Sequence, residues 1–209
     1  VKPPKTASGG SKMDFGGFIA PMVLPGDYTI KLKIEDKEYP SSIRVVHNDA
    51  NKDFTVEDRQ LQYKTGMELF HMHEELAKVV DEINARQKML KENMEKVKNK
   101  KTKKLLEEYH SQLELLRSEC LATKQKSQFA DEERLRERIT DIYASVCMQE
   151  AGPGNLQLQR VSMLKEELSK AEQTNNGLSN KYYNKVKDAL IKEGLMKDDK
   201  PVLENKTGR

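Results

Sequence analysis

Pro25-Gly26-Asp27-Tyr28-Thr29-Ile30-Lys31-Leu32-Lys33-Ile34, followed by Glu35-Asp36-Lys37-Glu38 and a second run ending at Val45-Val46, reads as a β-hairpin. Tyr28, Ile30, Leu32 and Ile34 alternate with Thr29, Lys31 and Lys33. This period of two sends one set of side chains to a buried face and the other to water. The partner run, about Tyr39 to Val46, places Ile43 and Val45 on one face, and Pro40 marks an edge or an entry into the strand. Two strands do not hold together alone in water; a third strand or a packed helix is required. Such a hairpin fits the closing strands of an immunoglobulin-like sandwich, which needs about seven strands. The chain opens at Val1, without an initiator Met or a signal peptide, and so reads as the back end of something longer.

Beyond the hairpin, 55–194 carries helix pattern throughout. Thr55 is placed to N-cap the first helix, with Asp58 three residues on. Leu69, Met72, Leu76, Val79 or Val80, Ile83, Leu90, Met94 and Val97 keep a three-four spacing interrupted at Gln87. This predicts a helix of roughly 40 residues, close to 60 Å long. A second helix carries Leu105 or Leu106, Tyr109, Leu113, Leu116 and Cys120, and a third Leu135, Ile139, Ile142 or Tyr143, and Val146. Gly152-Pro153-Gly154 breaks the pattern, and Asn155 is a good N-cap for the last helix. That helix has Val161, Leu164, Leu168, Ala171, Asn175, Leu178, Tyr182, Val186 and Leu190, with Gly194 as its C-terminal stop. Asn175 either pairs across the bundle or turns to solvent. The expected fold is mainly α: an antiparallel helical bundle of about four helices, preceded by a β-hairpin from an incomplete immunoglobulin-like β-sandwich. The expected segments are an irregular lead-in at 1–20, sandwich strands at 21–48, a linker at 49–54, the bundle at 55–194 and a mobile tail at 195–209.

A chain of 209 residues allows one or two domains. Its hydrophobic content of 36%, charged content of 34% and lack of Trp suit helices that bury narrow stripes. With 37 basic and 34 acidic residues the charge is nearly balanced, so no nucleic-acid binding is expected. No apolar run approaches the roughly 18 to 20 residues of a membrane span. Cys120 and Cys147 fall in the second and third helices. If these turn back at Gln128–Asp131, the two cysteines are offset by about 10 Å, too far for a disulfide, which leaves buried core thiols as the ordinary reading.

Candidate chemistry is sparse. In His71-Met72-His73-Glu74-Glu75, the two histidines face different ways on a helix. His71 and Glu75 share a face but are too few for a zinc site, and His73 reads as a satisfied core histidine. Glu107-Glu108, Asp131-Glu132-Glu133 and Glu166-Glu167 read as solvated ion-pairing faces rather than a general acid and base. Neither a nucleophile elbow nor a phosphate loop occurs. Lys96, Lys98, Lys100, Lys101, Lys103 and Lys104 crowd the turn between the first two helices. An anion could bind at that tip, but a charged bundle end suiting a helix C-terminus is the plainer reading. No residue of this chain is assigned a catalytic, cofactor or metal role.

The succession of parts carries a resemblance. Ala20-Pro21-Met22-Val23-Leu24-Pro25-Gly26-Asp27-Tyr28-Thr29-Ile30-Lys31-Leu32, then Ile43-Arg44-Val45-Val46-His47-Asn48-Asp49, leads into Phe54-Thr55-Val56-Glu57-Asp58-Arg59-Gln60-Leu61-Gln62. With Leu135-Arg136-Glu137-Arg138-Ile139 to Tyr143-Ala144-Ser145-Val146, this resembles the C-terminal region of exported bacterial sortilin-like, sialidase-repeat β-propeller proteins, often labelled glycosyl hydrolases. The likeness spans about 16–194, and Pro-Gly-x-Tyr hairpins and heptads recur widely, so only their order is distinctive. The resemblance implies an extracytoplasmic protein whose propeller, and most of whose sandwich, lie upstream or on a separate chain. This chain would then be a non-catalytic accessory module that positions the propeller or a partner subunit. Two alternatives stand beside it: part of an exported glycoside hydrolase, or a coiled-coil adaptor or co-chaperone.

Overall fold

A computed structural model describes residues 2–11, 14–48, 50–123 and 132–197. A 3-10 turn at Phe15–Phe18 precedes strands β1 (Gly26–Ile34) and β2 (Lys37–Val45). Helices α1 (Val56–Met94), α2 (Lys100–Cys120), α3 (Leu135–Met148) and α4 (Asn155–Leu178) follow. A π turn, Ser179–Tyr183, then leads directly into α5 (Asn184–Lys192). The protein is mainly helical with an antiparallel hairpin in front, as the two sequence periods predict. The expected Gln128–Asp131 turn and all but the start of the expected tail lie outside the described residues.

The chain forms two compact units, one from Val1–Asp81 with Arg117–Glu172 and one from Glu82–Leu116 with Gln173–Arg209. In the first, Leu69, Met72, Leu76 and Val80 of α1 are buried, as are Leu135, Ile139, Tyr143 and Val146 of α3 and Val161, Leu164 and Leu168 of α4. These are the positions of the three-four stripes, because that spacing keeps side chains on one face of a 3.6-residue helix. Thr55 starts α1 with the reciprocal cap its sequence suggests: its Oγ1 accepts from Asp58 N at 3.1 Å, and Asp58 Oδ2 accepts from Thr55 N at 3.1 Å. At α4 the cap falls one residue earlier than expected. Leu158 N donates to the Gly154 carbonyl, and Gly154 N donates to Gln157 Oε1 at 2.9 Å. Asn155 is therefore the first helical residue.

The lead-in is irregular yet packed against the helices. Ala7 is buried, Lys5 pairs with Asp81, and Arg136 Nη1 donates to the Ala7 carbonyl at 3.0 Å. Ser11 N and Oγ both donate to the Ala122 carbonyl, and Tyr143 Oη donates to the Ile19 carbonyl. Gly66 of α1 lies so near α3 that a Cβ there would sit 3.2 Å from Cys147 Sγ. Both cysteines are unpaired and buried, and burial pushes the Cys120 thiol up to about 12 and the Cys147 thiol up to about 11.

In the second unit, Ile83, Leu90, Leu106, Tyr109, Leu113, Tyr182, Val186 and Leu190 are buried. The Tyr109 and Tyr182 rings stack at 5.0 Å, and Tyr182 Oη donates to Glu108. Gln87, the break in the α1 stripe, is kept inside by donating to Glu114 Oε2 at 2.7 Å. Asn175 takes the inward alternative: it is buried and its Nδ2 donates to Glu82 Oε2 at 2.8 Å. Gly194, at φ +72°, closes α5 as expected: its N–H reaches the Ile191 carbonyl and Leu195 N reaches the Leu190 carbonyl. The π turn explains the spacing of the last stripe. From Leu178 the inward residues step by four to Tyr182, Val186 and Leu190, one residue more than alternating steps of four and three would give. The wider π turn absorbs that residue and keeps Val186 and Leu190 inside.

Candidate functional site

The hairpin presents an open apolar surface. β1 and β2 pair from Gly26↔Val45 to Ile34↔Lys37, so a two-residue turn joins them. Glu35, first in that turn, has φ +54°, the left-handed backbone that primed hairpin turns demand. Register puts Tyr28 opposite Ile43 and Leu32 opposite Tyr39, with Ile30 and Ile34 on the same face. This face is apolar and open: Ile30 is 50% exposed, Leu32 57%, Ile34 54%, Tyr39 51% and Ile43 47%. The opposite face is polar and partly matched. Arg44 makes two bonds to Asp27 at 2.6 and 3.1 Å, and Lys31 donates to Glu38 at 3.0 Å.

At the foot of the hairpin, Tyr28 Oη donates to the Leu24 carbonyl at 2.6 Å. A groove of about 370 Å³ opens there among Met22, Val23, Pro25, Val45, Val46 and Arg59. Below it, His47 Nε2 lies 2.7 Å from the Phe54 carbonyl oxygen, and the Arg59 guanidinium sits 4.6 Å above the Phe54 ring. The connection between β2 and α1 is thus braced.

The histidine cluster divides as helix geometry dictates. His71 is exposed and its Nδ1 lies 3.6 Å from Glu74, not Glu75. His73 is buried, as expected, but it is not satisfied: among the described residues neither ring nitrogen has a hydrogen-bond partner. It packs edge-on against Tyr143 at 5.3 Å and beneath the 3-10 turn, where a Cβ on Gly16 would sit 2.9 Å from its Nε2. Burial pushes its pKa down to about 4; nearby Asp14 works against that shift, and Arg136 adds to it. Thr140 Oγ1 donates to Asp14 Oδ1 at 2.8 Å, leaving Asp14 Oδ2 buried without a partner among the described residues. A small cavity of about 170 Å³ adjoins, lined by Asp14, Phe15, Glu133, Arg136, Glu137 and Thr140. Burial beneath the turn thus keeps the His73 imidazole neutral at physiological pH.

The basic tip is built as a helix start. Asn99 Oδ1 accepts from Lys101 N at 2.8 Å and Thr102 N at 3.4 Å. Glu193, just past α5, accepts from Lys98 N at 2.9 Å and Asn99 N at 3.4 Å. Hydrogen bonding, first from Thr102, holds the Glu193 carboxyl below its usual range. The amides of Lys98, Asn99, Lys101 and Thr102 are engaged, and a carboxylate stands among them. Of the expected carboxylate clusters, Glu108 serves Tyr182, Glu132 pairs with Arg134, and Glu167 pairs with Arg138. No group of three or more His, Cys, Asp or Glu able to hold a metal occurs among the described residues. No helix among them is long and apolar enough to cross a membrane.

No protein-family model, curated protein or solved structure matches the chain.

Proposed function

We propose that this chain is a non-catalytic docking module whose helices carry the hairpin and whose hairpin joins the β-structure of a larger assembly. The uncovered apolar face of β1 and β2 carries the reading. A contiguous apolar patch with a polar reverse side is the signature of an interaction surface, and an isolated hairpin gains stability only from a further layer. The braced foot supports it, because a presenting element needs a rigid base. The resemblance noted above supplies the kind of assembly: an exported β-propeller protein, extracytoplasmic, in which this module positions the propeller or a partner subunit.

Chymotryptic mapping tests the proposal, with Tyr28 and Leu32 as sites. In the polypeptide translated from the complete reading frame the hairpin should be protected, while in the 209-residue chain it is cut before the helices. Equal cutting of the hairpin in both would overturn the docking role. A reading frame without propeller repeats would overturn the assembly named for it.

A further inference from the structure

Resting on the docking reading, we infer that a partner β-strand adds to the outer edge of β1, leaving β2 as the edge of the extended sheet. In an antiparallel pair, residues alternate between hydrogen-bonded partners, whose N–H and C=O groups face each other, and non-bonded partners, whose groups point outward. Ile34 and Lys37 flank the two-residue turn, so they form a bonded pair. Counting along the register, Lys33–Glu38, Lys31–Pro40, Thr29–Ser42 and Asp27–Arg44 are the non-bonded pairs. Their backbone groups make up the two outer edges of the hairpin.

The edges are unequal. β1 offers an unbroken ladder of outward N–H and C=O groups at Asp27, Thr29, Lys31 and Lys33. Among the described residues these groups bond to nothing else. On β2 the same ladder is interrupted in its middle by Pro40, which has no N–H and turns its ring outward. Proline there costs the hairpin nothing, since the position makes no bond to β1, but it blocks a strand arriving from outside. The outer strand of a sheet tolerates this; an inner strand does not.

Charge defines the partner. On the polar face Asp27 is matched by Arg44, and Glu38 by Lys31 rather than by its direct neighbour Lys33. Lys33 is left exposed at the β1 edge with no ion pair among the described residues. The occupant that complements this edge is an extended strand that alternates apolar and polar residues. Its apolar side continues the Tyr28, Ile30, Leu32 face, and its polar side places a carboxylate opposite Lys33.

The experiment uses a nine-residue peptide of alternating valine and threonine, with one aspartate replacing the threonine that would face Lys33. Amide exchange of the 209-residue chain is followed residue by residue with and without it. Exchange at Asp27, Thr29, Lys31 and Lys33 should slow roughly fivefold or more, with Glu38, Ser42 and Arg44 unchanged. Thr29→Pro and Ser42→Pro remove equivalent outward N–H groups from the same register pair, so each controls for damage done by the other. Thr29→Pro should abolish the protection and Ser42→Pro should keep it. Lys33→Glu should weaken it, and a peptide with lysine in place of aspartate should restore it. Protection along β2, or loss with Ser42→Pro alone, overturns the edge assignment while leaving the docking role to the protease test. Absence of slowing at both edges overturns strand addition. A dimer of this chain that Thr29→Pro dissociates replaces the partner strand by a second copy and overturns the occupant.

Discussion

Acid should loosen the first unit through His73, and the size of the effect follows from its surroundings. The imidazole is buried beneath Gly16 and against Tyr143; Asp14 favours its charged form and Arg136 disfavours it. Its pKa falls from 6.5 in the unfolded chain to about 4 in the folded one. Between those values the unfolded state binds a proton that the folded state refuses, so stability rises with pH and is lost as pH falls. At pH 5 the deficit relative to pH 7.5 is about 2 kcal/mol, growing to about 3 kcal/mol below pH 4. With a urea slope of about 2 kcal/mol per molar, the midpoint should move down by about 1 M between pH 7.5 and 5. His73→Leu, which has no proton to take up, should remove most of that shift. An equal midpoint change in both proteins would refute the reasoning, as would an imidazole that titrates at or above 6.5 by NMR.

Other outcomes are as definite. Thr55→Ala, which removes one half of the α1 cap, should lower stability by about 1 kcal/mol in urea melts. Gly152→Ala should do similarly, because a Cβ there meets the Asp58 carboxyl, 3.0 Å from Cγ, and pushes it off Thr55. Glu35→Gly should slow hairpin amide exchange, since a residue held at φ +54° gains about 1 kcal/mol when its Cβ is removed. Leu76→Ala, at a fully buried position, should cost about 2 to 5 kcal/mol by thermal or urea unfolding. A thiol reagent at pH 8 should label neither cysteine in the native protein and both in urea, because both thiols are buried and raised.

The helices were legible because a repeat of three and four leaves no other way to bury Leu69, Met72, Leu76 and Ile83 together. The alternating hairpin was legible for the same reason at period two. The packing of the lead-in was not, since its bonds run through the carbonyls of Ala7 and Ile19, which no side-chain pattern encodes. Nor was the unsatisfied state of His73, which depends on a distant turn settling over it. The π turn was written in the sequence as three successive steps of four from Leu178, but a stripe read residue by residue hides its accumulated phase. The apolar hairpin face was visible as a pattern, whereas its exposure needed the whole fold, because only the remaining chain decides whether a hairpin is covered.

That π turn has a further consequence. It is an inserted beat in an otherwise regular helix, so the chain ahead of Ser179 and the chain beyond Tyr183 keep time separately. Removing a single residue there, Asn180 for instance, would restore ordinary helical winding and swing the α5 stripe by about 100°. The Asn175 bond to Glu82, ahead of the deletion, and the Glu193 bonds to Lys98 and Asn99, beyond it, would then tell which half of the helix sets the phase. Whichever contact survives identifies the anchored half, and the other the half that turns.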